Sequence, residues 1–195
     1  MRRAILLLTV MAVTLVVAGG VALAVTKIGG PGDNVLYGTG NPDKIDGRGG
    51  DDMIYGLGGN DGHHSRGGEH YLFGGEGDDT IYGGKGDDDI FGGRGFFPQR
   101  GEKGDDTLHG EEGDDIMTGD AGADVLYGGK GFDSISDGEN SGGPVDVLYG
   151  GRENDFINSR NSPAGKDIVY CGSGRDYVEA DRADVLRKCE DVFRR

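Results

Sequence analysis

The 195-residue chain has no tryptophan, two cysteines and few aromatic residues, which make up 8% of it. The chain has only 20 Lys and Arg but 35 Asp and Glu, so its formal charge is −15. With so few large apolar residues, burial alone cannot supply a core of the usual size. The acidic excess argues against nucleic-acid partners, because it repels phosphate, and it favours cations.

Several motifs of metal and catalytic sites are also missing. The sequence contains no CxxC, no HExxH, no GxSxG and no EF-hand loop, so redox, zinc-protease, serine-hydrolase and EF-hand chemistry lack support. His63, His64 and His70 lie close together and offer zinc as an alternative, yet no further zinc-ligand spacing accompanies them. We predict that the protein is not an enzyme.

The N-terminal residues have the pattern of a secretory signal peptide over residues 1–24. Arg2 and Arg3 precede an uncharged apolar stretch, and Ala22-Leu23-Ala24 gives the small-x-small cleavage pattern. We therefore expect a secreted protein with a mature charge of −17 and no stable membrane insertion after cleavage. An uncleaved membrane anchor is the alternative.

The two cysteines of the chain are consistent with an exported protein. Cys171 and Cys189 form a lone pair in the C-terminal quarter, and in an oxidising compartment we expect one disulfide between them, with two free thiols as the alternative.

What the chain has in abundance is glycine, with 42 residues. After a short lead-in at residues 25–28, a nine-residue frame runs through residues 29–136 as twelve repeats such as GGEGDDTIY and GGKGDDDIF. Position eight is aliphatic in ten repeats, and the two exceptions are His63 and Gln99. Position six is Asn34, His70 or Phe97 in three repeats. In the other nine, position six is aspartate: Asp43, Asp52, Asp61, Asp79, Asp88, Asp106, Asp115, Asp124 and Asp133.

These repeats resemble the glycine-rich nonapeptide GGxGxDxUx of RTX, or hemolysin-type, calcium-binding proteins. The resemblance implies an all-β fold, a parallel β-roll or two-sided β-solenoid, in which six residues turn around Ca²⁺ and three form a strand. Glycine carbonyls and the aspartate carboxylate are suitable oxygen ligands. The predicted cofactor is thus Ca²⁺, bound by the nine aspartates above and by Asp155 of the looser repeats.

Each ion is expected between turns two repeats apart, where both carry aspartate. The predicted pairs are Asp43/Asp61, Asp61/Asp79, Asp88/Asp106, Asp106/Asp124 and Asp115/Asp133. Because the apolar positions are few, we also expect folding to depend on Ca²⁺.

Beyond the regular frame, residues 137–179 retain Asp-x-apolar-x units and read as an irregular continuation of the roll. Residues 180–195 have no glycine and place Val185, Leu186, Cys189, Val192 and Phe193 at helical spacing. We interpret them as a terminal cap, helix or strand, of the kind that solenoids need.

The function that these features favour is a secreted calcium-binding structural or interaction module. An accessory or adhesive surface protein and, less favoured, a fragment of an RTX-type enzyme are alternatives, whereas an ice-binding face conflicts with the irregular position seven.

Position nine of alternate repeats predicts one outward aromatic row, which is either a stabilising ladder or a docking face for a glycan, a cell surface or a second copy. Its members are Tyr37, Tyr55, Phe73, Phe91, His109, Tyr127, Tyr149 and Tyr170.

Overall fold

The chain is a parallel β-roll, as the repeats predict. The computed structural model describes residues 24–77, 79–93, 104–138, 144–161 and 165–194, and these form strands with no helix among them. Successive strands alternate between two parallel sheets of nine strands each. None of the described ranges holds a helix with the length and hydropathy needed to cross a membrane.

The two sheets are named here by the parity of their strands. The odd sheet contains β1 (Thr26–Ile28), β3 (Lys44–Gly49), β5 (Gly62–Gly67), β7 (Thr80–Lys85), β9 (Thr107–Glu112), β11 (Val125–Lys130), β13 (Val147–Arg152), β15 (Ile168–Ser173) and β17 (Val185–Arg187). The even sheet contains β2 (Val35–Tyr37), β4 (Met53–Gly58), β6 (Tyr71–Glu76), β8 (Asp89–Phe91), β10 (Ile116–Thr118), β12 (Ser134–Ser136), β14 (Phe156–Ser159), β16 (Tyr177–Ala180) and β18 (Asp191–Arg194).

The core is a column of position-eight side chains between the sheets. Side chains alternate in direction along a strand, so the middle residue of each three points inward. Ile54, Leu126 and Ile157 are fully buried in this column. Nine strands at the usual interstrand spacing give a roll about 38 Å long, and the thin column confirms that apolar burial per turn is small.

One repeat of the continuous sequence frame adds no strand to either sheet. Strand partners lie 18 residues apart up to β8, but Thr80 pairs with Thr107 and Asp89 with Ile116, a separation of 27. The skipped repeat carries Phe97 and Gln99 where the others carry aspartate and an aliphatic residue. A turn built from it would bury an amide in the core and lack a carboxylate. Both residues lie outside the described ones.

The C-terminal segment continues the roll as strands. Leu186 of β17 pairs with Val169, and Val192 of β18 pairs with Val178, both in parallel register. The helical spacing of this segment was therefore a wrong indication, because pairing with β15 and β16 decides its structure.

A disulfide joins Cys171 and Cys189, as predicted, with their Cα atoms 5.1 Å apart. The predicted signal peptide falls almost wholly outside the described residues.

Candidate metal centres

The residue before each strand from β2 to β17 lies in a turn, and these residues stack into two rows along the roll. The odd ladder, which precedes the odd strands from β3 to β17, contains Asp43, Asp61, Asp79, Asp106, Asp124, Asp146, Asp167 and Asp184. The even ladder contains Asn34, Asp52, His70, Asp88, Asp115, Asp133, Asp155 and Asp176. Every one of these aspartates is buried. The sequence therefore places its ten predicted ligands in two rows of buried carboxylates.

Hydrogen bonds between turns set the orientation of these carboxylates. The backbone N–H of Asp43 donates to Oδ1 of Asp61 at 2.8 Å, and that of Asp115 donates to Oδ1 of Asp133 at 3.0 Å. The same bond links all consecutive aspartates of the odd ladder, at 2.7–3.1 Å. Oδ1 is thus used within the protein, which leaves Oδ2 for another partner.

In Asp43, Asp167 and Asp184 the partner of Oδ2 lies within the protein, but the second oxygens of many other ladder aspartates are buried without a hydrogen-bond partner in the described part of the chain. This holds for Oδ2 of Asp61, Asp115, Asp124, Asp133 and Asp155, among others. Such atoms are costly to bury, so a native structure needs a reason for each of them. A row of them at equivalent positions points to a shared ligand rather than to isolated defects.

The first glycine of the repeat leaves room for these oxygens. A Cβ at Gly128 would clash with Oδ2 of Asp133 and with the carbonyl oxygen of Gly150 in the next turn. Glycine at this position therefore lets a carboxylate oxygen and a backbone carbonyl oxygen of the following turn converge. Both are hard oxygen donors of the kind that Ca²⁺ prefers.

Electrostatics also favours a cation in the ladders. Burial raises the pKa of Asp61 and Asp155 to about 7 and that of Asp115 and Asp124 to about 8. Neighbouring carboxylates add to the rise, whereas the backbone N–H bonds oppose it. Ionised ladders without a counter-ion are therefore unfavourable, and either protons or metal ions relieve them.

His70 lies between two carboxylates of the even ladder. Its Nδ1 lies 2.6 Å from Oδ1 of Asp88, and its Nε2 lies 3.8 Å from Oδ2 of Asp52. Burial lowers the pKa of this imidazole, but the hydrogen bond and charge of Asp88 outweigh burial and the net shift is upward. The two carboxylates thus favour the protonated imidazole at a position where most other turns have an aspartate. His63, in contrast, lies in the core and burial lowers its pKa to about 4.

The skipped repeat changes one predicted ligand pair. The N–H of Asp88 donates to Asp115, not to Asp106, and the N–H of Asp79 donates to Asp106. The predicted pair Asp88/Asp106 is therefore wrong, because the two residues belong to opposite ladders. The other four predicted pairs are neighbours within a ladder: Asp43/Asp61, Asp61/Asp79, Asp106/Asp124 and Asp115/Asp133.

Four ladder aspartates were not among the predicted ligands. Asp146, Asp167, Asp176 and Asp184 occupy the same position as the predicted ones and are equally buried. Asp146, Asp167 and Asp176 each precede an x-apolar-x unit in the sequence, which is the signal that Asp155 also carries. Asp184 was hidden by the interpretation of its segment as a cap.

The predicted single aromatic row is two rows, one on each sheet. Four rings stack on the even sheet, with centroids 4.9–5.2 Å apart: Tyr37, Tyr55, Phe73 and Phe91. Six rings stack on the odd sheet, 4.5–4.8 Å apart: His64, Tyr82, His109, Tyr127, Tyr149 and Tyr170. The skipped repeat exchanges the sheets, so the placement of four residues in the same row as the first four was wrong: His109, Tyr127, Tyr149 and Tyr170.

The exposure of these rings limits what they can bind. Phe73 and Phe91 are 8% and 6% exposed, whereas Tyr37 is 51% exposed. Adjacent ring planes lie within 15° of parallel, so ring faces within a row cover one another. The stacking is evidence for a stabilising role of the rows.

The described residues fit Ca²⁺ by three observations together. Carboxylate oxygens are buried and unpaired, carbonyl oxygens of the next turn approach them, and no soft ligand lies in either ladder. Ca²⁺ accepts six to eight oxygen ligands in flexible geometry, which suits a site shared between turns.

Comparison with known families agrees with this chemistry. The profile of the RTX calcium-binding nonapeptide repeat matches four times, at residues 28–62, 71–96, 100–135 and 145–161, more than half of the chain. A comparison with curated proteins finds no significant match. The matched segments contain most of both ladders and the strands that follow them. The chain therefore belongs to the family of proteins with RTX calcium-binding nonapeptide repeats.

Proposed function

We propose that the protein is a secreted structural or interaction module whose β-roll folds on binding Ca²⁺ through the two ladders. The observation that carries the proposal is the row of buried Oδ2 atoms without partners, described above. The ten aspartates predicted from the sequence, with Asp146, Asp167, Asp176 and Asp184, are the ligands that we assign.

Binding through the ladders is tested by removing carboxylates at matched positions. Asp124→Asn and Asp133→Asn remove one ladder charge each, whereas Asp46→Asn and Asp89→Asn remove one charge each from the outer face of a strand. Because Oδ1 of Asp46 is itself buried without a partner, Asp89→Asn is the decisive control. Calorimetric titration of the mature chain should show fewer bound Ca²⁺ ions for Asp124→Asn and Asp133→Asn than for Asp89→Asn. Equal losses in all four would contradict specific ladder sites.

Export is supported by the N-terminal pattern and by the disulfide, which suits an oxidising compartment. Expression of the full chain in a host with a Sec pathway should release a protein that begins at Val25. Retention of residues 1–24 on the exported protein would favour the anchored alternative.

A role without catalysis is supported by what the histidines do. His63 packs in the core, His70 pairs with Asp88, and His64 and His109 stack in the odd-sheet row. Each imidazole that the structure describes thus packs in the core, pairs with a carboxylate or stacks in a ring row.

The odd sheet favours a second candidate function, adhesion to an acidic glycan. Lys130 and Arg152 are register neighbours beside the ring row, and both are exposed on a strongly acidic protein. Lys130 also pairs with Glu112 at 2.6 Å, so an acidic sugar would compete with that carboxylate. Ring edges with hydroxyl groups, next to cations, suit carboxylated or sulfated sugars better than neutral ones. Lys130→Ser with Arg152→Ser should abolish retention on an acidic polysaccharide while the Ca²⁺ count stays the same. Unchanged retention would sink this candidate.

A further inference from the structure

Asp137 occupies a place where most of the repeats have glycine. It follows β12 directly, as Gly119 follows β10 and Gly92 follows β8 on the same side of the roll. A Cβ at Gly119 would meet the carboxylate of Asp124, so this place opens onto the odd ladder. Asp137 adds a second carboxylate to a turn that already has Asp146.

The side chain of Asp137 is completely buried and its two oxygens have no hydrogen-bond partner among the described residues. Both oxygens of an aspartate buried without a partner are a rare and costly arrangement, which a structural role does not require, since glycine serves in the equivalent turns. An unpaired group of this kind indicates a ligand that satisfies it.

Two ladder aspartates meet Asp137 at one point. One carboxylate oxygen each from Asp137, Asp146 and Asp167 lies within 4.8 Å of the other two, and all three residues are 0% exposed. Oδ1 of Asp146 and Oδ1 of Asp167 accept backbone N–H groups, and Oδ2 of Asp167 accepts the amide of Asn161 at 2.6 Å. Oδ2 of Asp146, like both oxygens of Asp137, is buried without a hydrogen-bond partner among the described residues.

The spacing allows all three carboxylates to bind one Ca²⁺ ion. Three oxygens within 4.8 Å of one another can lie at about 2.8 Å or less from a common centre, a range that includes the 2.3–2.6 Å of Ca²⁺–oxygen bonds. All three donors are hard carboxylate oxygens, which Ca²⁺ prefers.

We propose that Asp137, Asp146 and Asp167 form a tricarboxylate Ca²⁺ site, distinct from the repeat sites and tighter than they are. The inference rests on the proposed Ca²⁺ binding of the roll, because two of its ligands belong to the odd ladder. The greater affinity follows from charge, since three carboxylates converge here instead of one from each turn.

The test compares the mature wild-type chain with Asp137→Gly, which restores the glycine of the repeat, and with Asp137→Asn, which keeps the size without the charge. The control is Glu153→Gly, which also restores a repeat glycine and removes one charge, but at an exposed position. Calcium binding is measured by titration against a fluorescent chelator, with Mg²⁺ as competitor, and folding at saturating Ca²⁺ is checked by circular dichroism.

We expect both Asp137 variants to lose one ion of the tightest class, with at least a tenfold weaker first binding step, while Glu153→Gly and the wild type agree. An unchanged count and affinity in Asp137→Asn would overturn the tricarboxylate site and leave the repeat sites standing. Absence of Ca²⁺ binding by the wild type would instead overturn the proposed function. If Asp137→Gly does not fold, the result for Asp137→Asn decides.

Discussion

Replacing His70 by aspartate should exchange a built-in cation for Ca²⁺. The imidazole lies 2.6 Å from Asp88 and 3.8 Å from Asp52, so its removal loses a charge-assisted hydrogen bond worth about 1.5–3 kcal/mol. The new carboxylate would complete two Ca²⁺ sites of the even ladder, one with Asp52 and one with Asp88. The variant should therefore bind two more Ca²⁺ ions than the wild type.

The magnitude depends on the Ca²⁺ concentration. With a dissociation constant of about 0.1 mM for each new site, two ions contribute roughly 3 kcal/mol at 1 mM Ca²⁺ and about 5 kcal/mol at 10 mM. His70→Asp should thus be about as stable as the wild type at the lower concentration and about 3 kcal/mol more stable at the higher one. Denaturant unfolding, followed by circular dichroism at both concentrations, measures the difference.

The matched control is His70→Asn, which removes the imidazole without adding charge. It should be less stable than the wild type by about 1.5–3 kcal/mol at both Ca²⁺ concentrations. The reasoning is refuted if His70→Asp follows His70→Asn at both, with no additional ions in calorimetry, because the ladder would then not be the site of binding.

Three more outcomes follow from the turns. Burial raises the pKa of Asp115 to about 8 from 3.8, so the contribution of its protonated form to the stability of the calcium-free fold is present at acidic pH and lost as pH rises through about 8. Circular dichroism of calcium-free protein should show more β signal at pH 5 than at pH 9, and the reverse would contradict this. The effects of Asp88→Asn and Asp115→Asn on Ca²⁺ affinity should be strongly non-additive, because these residues are neighbours in one ladder. The effects of Asp88→Asn and Asp106→Asn, which lie in opposite ladders, should add. Gly128→Ala should cost about 1–3 kcal/mol of unfolding free energy and one ion, while Gly62→Ala, whose Cβ meets nothing closer than 4.0 Å, should be neutral in the same assay.

The period of the sequence predicts most of the fold because each turn repeats the same physical demands. An aliphatic residue such as Leu126 must fill the column between the sheets, and an aspartate such as Asp124 must precede it. Wherever both are present, the predicted strand and ladder position are found. His63 shows the tolerance of the pattern, since its turn persists with a neutral imidazole in the core and with Asp61 in the ladder.

The skipped repeat was not predicted because the nonapeptide count continues through it without a gap. Its signal was the simultaneous loss of both demands, at Phe97 and Gln99, whereas the repeats with His63 or His70 lose only one each. Since one repeat is half a turn of the roll, the omission exchanges the two sheets for everything that follows. This single local event explains the wrong pair Asp88/Asp106 and the division of the aromatic row.

The tricarboxylate cluster could not be predicted for a different reason. Asp137 lies one residue after the regular frame ends, and inserted residues separate it from Asp146 in the sequence. Its proximity to Asp167 is a property of stacked turns, which depends on the register of β13 and β15. Periodicity indicates what each turn contains, but an irregular turn acquires its neighbours only through the folded register.

The central claim, that Ca²⁺ takes the place of a large core, is tested most directly by circular dichroism of the mature chain. Spectra are recorded in excess chelator at pH 7.5 and again in 10 mM Ca²⁺, with 10 mM Mg²⁺ as the ionic control. The account predicts a largely unfolded spectrum in chelator, a β spectrum in Ca²⁺ and little change in Mg²⁺. A full β spectrum in chelator, unchanged by Ca²⁺, would contradict it.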